Sequence, residues 1–175
     1  MGLGPRLLPN YTYDDYRHWE GRWEVIDGVA IAMSPAPSFK HQRIANVLGR
    51  MLSHALDKGG CSDCTVYQPV DVLIKENTIV QPDLLIICGE VSGSYLDRPP
   101  ALVVEILSPS TRFKDQSVKR ELYQDFGIPY YIMIDPEDDS SVILQLVDGK
   151  YVDYKNAVFE LPDGCKVELD FSELV

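Results

Sequence analysis

Positive charge is scarce in this chain of 175 residues: 16 lysines and arginines stand against 27 aspartates and glutamates, a net charge of −11. That balance argues against a general affinity for nucleic acid, which needs cations to neutralise phosphates. No apolar run reaches transmembrane length, and Met1–Tyr13 lacks a signal-peptide pattern. Both absences predict a soluble, cytoplasmic protein with no membrane partner. The chain has no phosphate-binding glycine loop, no nucleophile elbow and no zinc-protease motif, which excludes those routes to catalysis. It also lacks internal repeats, low-complexity tracts and an interdomain linker. With 45 % hydrophobic and 25 % charged residues, residues 1–175 read as one domain with a real core. There are only four cysteines, Cys61, Cys64, Cys88 and Cys165. Cys61 and Cys64 form a lone C-x-x-C with no second pair at zinc-finger spacing. It reads as a turn, with metal or redox work as the alternative. Cys88 reads as core.

The acidity is uneven. From Asp135 to Val175 there are 11 acidic and 3 basic residues, so most of the negative charge lies in the last quarter. Arg112, Lys114, Lys119 and Arg120 fall close together with only Asp115 against them. That segment reads either as a solvated helix face or as a basic patch.

In chain order, residues 1–12 read as a loose arm and Tyr13–Glu20 as a short helix. Trp23–Ile26 and Val29–Met33 read as strands joined by Asp27-Gly28, a hairpin turn whose central positions both need positive φ. Glu24 shares a strand face with Ile26. Ser38 is an N-cap for a helix whose apolar residues keep helical spacing from Ile44 to Ala55, until Gly59-Gly60 ends it. His41 lies at the inward edge of the first turn, as a structural or a site residue. Val66–Ile74 alternates as one strand, while Leu84–Cys88 and Tyr130–Ile134 are apolar runs buried on both faces. Pro82 cannot donate to a ladder and so belongs at an irregularity. It fixes Asp83 at a bend beside a buried strand. Ser141–Val147 and Lys150–Tyr154 form a second hairpin on Asp148-Gly149. Residues 155–175 read as an acidic extension, with short strands or loops over Val158–Val175.

The stretch Leu102–Tyr123 organises the rest. Leu102–Leu107 is an apolar strand with Glu105 inside it, and a buried carboxylate is costly unless it is paired or binds a metal. After Ser108-Pro109-Ser110-Thr111 comes a helix over about Phe113–Phe126. At about 100° per residue, Asp115 and Lys119 fall inside the apolar arc rather than opposite it, with Tyr123 further along the same side. Lys119 is either a lysine seeking the strand's carboxylate or a snorkelling residue at the core's rim. If their strands are neighbours, Asp83 and Glu105 can share one hard divalent cation, magnesium or manganese. Lys119 could then orient an attacking water and offset developing charge.

These residues, taken with Gln81-Pro82-Asp83, Val104 to Thr111, the Asp115/Lys119/Tyr123 series, Gly127-Ile128-Pro129, Glu24 to Gly28 and Met33-Ser34-Pro35, resemble the Uma family of restriction-endonuclease-like proteins within the PD-(D/E)xK superfamily. The resemblance spans roughly Tyr13 to Val147. It implies an α/β (α+β) restriction-endonuclease-like fold: a mixed central β-sheet flanked by helices, with additional N-terminal and C-terminal β-hairpins. It also implies a divalent-metal site, a DNA substrate and a homodimer. By that resemblance Asp83 and Glu105 are the metal carboxylates and Glu24 is a further acidic catalytic member. The signature lysine two residues after Glu105 is missing, because Leu107 stands there. Lys119 matches the position of a migrated lysine. Asp115 and Tyr123 would orient it, and His41, Gln81, Ser108 and Thr111 would lie near the substrate. The rival reading is a catalytically silent dimeric binding module that keeps the fold, which the acidic composition favours. A third is a structural Lys119–Glu105 salt bridge with no ligand.

Overall fold

The computed structural model describes residues 8–33 and 37–174. It is a mixed α+β architecture built on two sheets. The first contains β1 (Trp23–Ile26), β2 (Val29–Ala32), β4 (Asp71–Lys75), β5 (Thr78–Val80) and β7 (Tyr95–Leu96), in the order β2-β1-β5-β4-β7. The second contains β3 (Cys64–Tyr67), β6 (Leu84–Cys88), β8 (Leu102–Ile106), β9 (Tyr130–Asp135), β10 (Ser140–Val147) and β11 (Lys150–Asp153), in the order β11-β10-β9-β8-β6-β3. Only β8 and β9 run parallel within it, and the helical segment that follows β8 connects them.

Local sequence accounts for much of this. Asp27 and Gly28 adopt φ of 49° and 78°, and Asp148 and Gly149 adopt 49° and 75°, as tight hairpin turns require. Among the helices, α1 spans Tyr13–Tyr16, one turn rather than the eight residues expected. The long helix α2 (Phe39–Gly59) starts where Ser38 Oγ accepts the His41 N–H at 3.2 Å. It ends at Gly60 in the left-handed region. Gly59 has a separate reason to be glycine: a Cβ there would lie 2.3 Å from the Lys166 carbonyl oxygen.

The larger sheet separates two apolar layers. Beneath α2, Ile44, Leu48 and Leu52 pack on Leu84, Leu102, Val104 and Ile132. On the other face, Leu85, Val103, Tyr131 and Met133 meet Tyr123 and the smaller sheet's Val72 and Val80. The site lies on this second face, between the sheets.

Several expectations need correction or refinement. The expected N-terminal hairpin is present, and β1 also pairs with β5, so the hairpin belongs to a five-stranded sheet. The hairpin β10–β11 is likewise the edge of the central sheet. Val66–Ile74 is two strands in different sheets, broken around Pro69, which has no N–H to donate. Residues 1–7 of the expected loose arm lie outside the described residues. Its remainder is pinned, with Tyr11 N–H donating to Gly28 O at 2.9 Å and Asn77 Nδ2 to Asn10 Oδ1 at 2.8 Å. The short strands expected in the acidic extension are there and pair as a hairpin, β12 (Val158–Glu160) with β13 (Lys166–Glu168). Phe159, Leu161, Val167 and Leu169 of this region are buried in the α2 layer. The C-x-x-C does form a turn, with Cys64 N–H on Cys61 O at 3.1 Å, but each cysteine also takes a distant partner. Disulfides join Cys61 to Cys165 and Cys64 to Cys88, the latter pair directly opposite across β3 and β6. No helix among the described residues is long and apolar enough to cross a membrane.

Candidate active site

Alternation along β8 sends Leu102, Val104 and Ile106 beneath α2, and turns Val103, Glu105 and the following Leu107 to the other face. The β6–β8 register pairs Leu84 with Val104. Asp83 directly precedes β6, and continuing that register by one residue sets it against Glu105. Asp83 Oδ2 accepts the Ile106 N–H at 2.8 Å, and His41 Nε2 lies 3.2 Å from the same oxygen. Asp83 Oδ1 and Glu105 Oε2 accept no hydrogen bond among the described residues. Both residues line one cleft of about 490 Å³.

Lys119 is 2 % exposed, and its Nζ lies 2.8 Å from Glu105 Oε1, 2.8 Å from Glu24 Oε1 and 3.6 Å from Asp115 Oδ1. An ammonium has three donors. Glu105 and Glu24 lie within hydrogen-bond reach, and the third neighbour is Asp115 Oδ1, a buried oxygen with no hydrogen-bond partner of its own among the described residues. The Tyr123 hydroxyl adds 2.6 Å to the same Glu105 oxygen. Glu24 has both oxygens engaged: Oε1 also accepts Gln81 N–H at 3.0 Å, and Oε2 accepts from Lys114. It anchors the two lysines and offers no vacant oxygen.

A widened helical turn makes this possible. Lys114–Lys119 is π-helical and continues into α3 (Arg120–Phe126), where a regular α-helix over about Phe113–Phe126 was expected. In an α-helix, residues four apart drift around the axis. The wider turn reduces that drift, so Asp115, Lys119 and Tyr123 all stay buried. The Tyr131 hydroxyl, on β9, donates to the Asp115 carbonyl at 2.9 Å, satisfying a backbone group inside this turn.

The electrostatics follow from burial. Desolvation pushes the Glu105 carboxyl well above its usual range, opposed by Lys119 and reinforced by Asp115, Asp83 and Glu24. Burial works against the Lys119 ammonium, but Glu105, Glu24 and Asp115 outweigh it and hold its pKa well above the usual lysine value. Burial also opposes the charge on Glu24, yet Lys119, Lys114 and the Gln81 N–H bring its pKa down to about 2. Glu105, Glu24 and Asp115 thus crowd around Lys119, with Asp83 alongside, and burial with that crowding raises the pKa of both Glu105 and Asp115. No cluster of three or more His, Cys, Asp or Glu side chains arranged to hold a metal occurs among the described residues. Two carboxyl groups with open oxygens, in a crowd of acidic groups that a cation would relieve, still fit a magnesium-like ion. Such an ion keeps several waters and takes only one or two carboxylates from a protein.

The remaining expected residues fall around the same cleft, which Gln81, His41, Ser108, Thr111, Asp115 and Lys119 also line. Ser108 Oγ and Thr111 Oγ1 lie 3.0 Å apart at the turn into the helix. The expected basic patch is largely spent, since Arg112 pairs with Asp135, Lys114 with Glu24 and Lys119 with Glu105. Sequence reasoning missed Lys114 and Arg22. Arg22 reaches Gln81 Oε1 at 3.3 Å, and Gln81 Nε2 donates to Tyr16 Oη at 3.0 Å and Asp71 Oδ1 at 2.8 Å.

Against known proteins, the profile of the Uma2 family, described as "Putative restriction endonuclease", matches residues 13–174. The chain belongs to the Uma2 family. It is 30 % identical over 122 residues to the uncharacterized protein slr1290 of Synechocystis sp. (strain ATCC 27184 / PCC 6803 / Kazusa), across 66 % of this chain and 63 % of that protein. The match therefore spans a little under two thirds of that relative's length. A solved structure, "a putative nuclease belonging to DUF820 from Anabaena variabilis ATCC 29413", superposes with a TM-score of 0.73. It covers 94 % of this chain and 97 % of that one, at 17 % identity, and establishes a shared fold. In this Uma2 chain the place of the signature lysine is filled by Leu107, buried among the residues of the inter-sheet layer. The ammonium beside the carboxylate comes from Lys119 instead.

Proposed function

We propose that this chain is a divalent-metal-dependent endonuclease that hydrolyses DNA phosphodiester bonds. The observation that carries the reading is the 2.8 Å contact between buried Lys119 and Glu105, with Asp83 opposite and an open cleft in front. Family membership supports the nuclease class. Asp83 and Glu105 would hold the metal through their open oxygens. Magnesium or manganese bound there supplies Lewis acidity, easing deprotonation of water and offsetting charge on the phosphoryl oxygens. Lys119 offsets the charge that develops at phosphorus, and Glu24, Asp115 and Tyr123 fix its position and that of Glu105. Asp83 is held in turn by the Ile106 N–H and His41.

The test is cleavage of DNA with manganese by wild type, Asp83→Ala and Glu105→Ala, alongside melting curves with and without manganese. The expected result is a loss of cleavage of more than about a hundredfold in both variants, since even outer-shell partners of metal sites cost that much. The manganese-induced rise in Tm should vanish with it. Equal cleavage in all three proteins would sink the reading. A folded wild type with neither cleavage nor a manganese shift would favour the silent binding module.

A further inference from the structure

Phe39 and Phe113 are 98 % and 78 % exposed, far more than any other phenylalanine among the described residues. Large rings are rarely left so open without a partner. Their positions are not scattered. Phe39 lies between Ser38 and Lys40, and Phe113 directly precedes Lys114, and all three neighbours line the cleft that holds Asp83, Glu105 and Lys119. One ring therefore stands at the start of α2 and the other at the start of the helix carrying Lys119, each one residue from a residue that lines the cleft. Inside, the cleft has an apolar wall containing Ile31 and Met33 and a charged floor.

We propose that Phe39 and Phe113 are stacking platforms for unpaired nucleobases, and that the substrate of this site is single-stranded DNA. The proposal rests on the nuclease reading above. The cations beside the rings have little charge to spare for a phosphate backbone. Lys40 is paired with Asp139 at 3.1 Å and with the Pro136 carbonyl, Arg112 with Asp135, and Lys114 with Glu24. A duplex, gripped mainly through its phosphates, would meet a chain of net charge −11 with few free cations at this opening. Stacking on an aromatic ring needs no net charge and accepts any base, but it requires the base to be out of a duplex. Exposed rings next to residues of a cleft that has both apolar and charged lining together suit a base followed by its phosphate.

The experiment measures anisotropy of fluorescein-labelled oligothymidylate and of a hairpin duplex, with calcium replacing magnesium. Cleavage of the same DNAs is followed with manganese. The proteins are wild type, Phe39→Ala/Phe113→Ala and Phe39→Trp/Phe113→Trp. Wild type should prefer the single strand. The alanine pair should weaken that binding about tenfold or more with Tm unchanged, and the tryptophan pair should retain it. Wild-type preference for duplex, or undiminished single-strand binding by the alanine pair, overturns the proposal while cleavage by wild type leaves the nuclease reading standing. Neither binding nor cleavage by wild type removes both. Sedimentation adds an arm: a dimeric wild type that becomes monomeric in the alanine pair assigns the rings to a self-interface and overturns the proposal.

Discussion

Lys119 is the only ammonium in contact with Glu105 among the described residues, and it also holds Glu24 at 2.8 Å with Asp115 nearby. Lys119→Ala would leave several carboxylates facing one another away from water. Breaking a buried ion pair by removing one partner costs about 3–5 kcal/mol. Urea unfolding should show that loss, and DNA cleavage should fail in the same variant. A tolerated or stabilised Lys119→Met would instead mark the pair as a structural bridge. Glu24 gives a pH-resolved test. Its folded pKa, about 2, lies below the ordinary 4.5, so its contribution is complete above about pH 4.5 and is lost as pH falls toward 2. Glu24→Gln should therefore flatten the acid side of the stability profile in that window, by an amount on the order of 3 kcal/mol. Urea melts at stepped pH would read it, and an unchanged acid limb would refute it. At this scale the sequence was informative where geometry is local. Strand alternation places Glu105, and helical spacing places Asp115, Lys119 and Tyr123. Lys114 was illegible because its partner, Glu24, is 90 positions away on β1.

At the scale of elements, the segment after β8 was legible as a helix but not as a π-helical one. Its sequence, Lys114-Asp115-Gln116-Ser117-Val118-Lys119, carries no local signal for a wider turn. What sustains the turn includes a contact from another element, the Tyr131 hydroxyl on the Asp115 carbonyl. Tyr131→Phe keeps the ring's edge-to-face contact with Tyr123 and removes only that donor. Losing that one hydrogen bond should lower stability by about 0.5–1.5 kcal/mol. If the turn also positions Lys119, cleavage should fall with KM little changed, and a fully active Tyr131→Phe would separate the turn from the chemistry. The alternation across Val66–Ile74 misled for a related reason. It is continuous through Pro69, yet the chain changes sheets there, because a residue without an N–H cannot sit in a paired ladder.

Across the whole molecule, no local pattern foretold which cysteines would meet. Cys61 is 104 positions from Cys165, and the fold brings them together by packing the β12–β13 hairpin on α2. The apolar side chains of that hairpin bury against the α2 layer, so the acidic composition of the last quarter describes its outer surface only. Closing so long a loop restricts the unfolded chain strongly, by about 4–5 kcal/mol on the chain-entropy account. The 24-residue separation of Cys64 and Cys88 corresponds to a somewhat smaller effect. Cys165→Ser should then lower Tm by roughly 8–20 °C for a chain of this size. Reductant should bring wild type at least as low, because it also opens the second bond. This collides with the cytoplasmic location expected from the sequence, since that compartment keeps thiols reduced. A thiol count on the native protein decides between them. No reactive thiols, with a Tm that falls on reduction, means both bonds form and the protein matures under oxidising conditions. Four reactive thiols and a Tm indifferent to reductant mean that packing of the hairpin on α2 holds the C-terminal region without them.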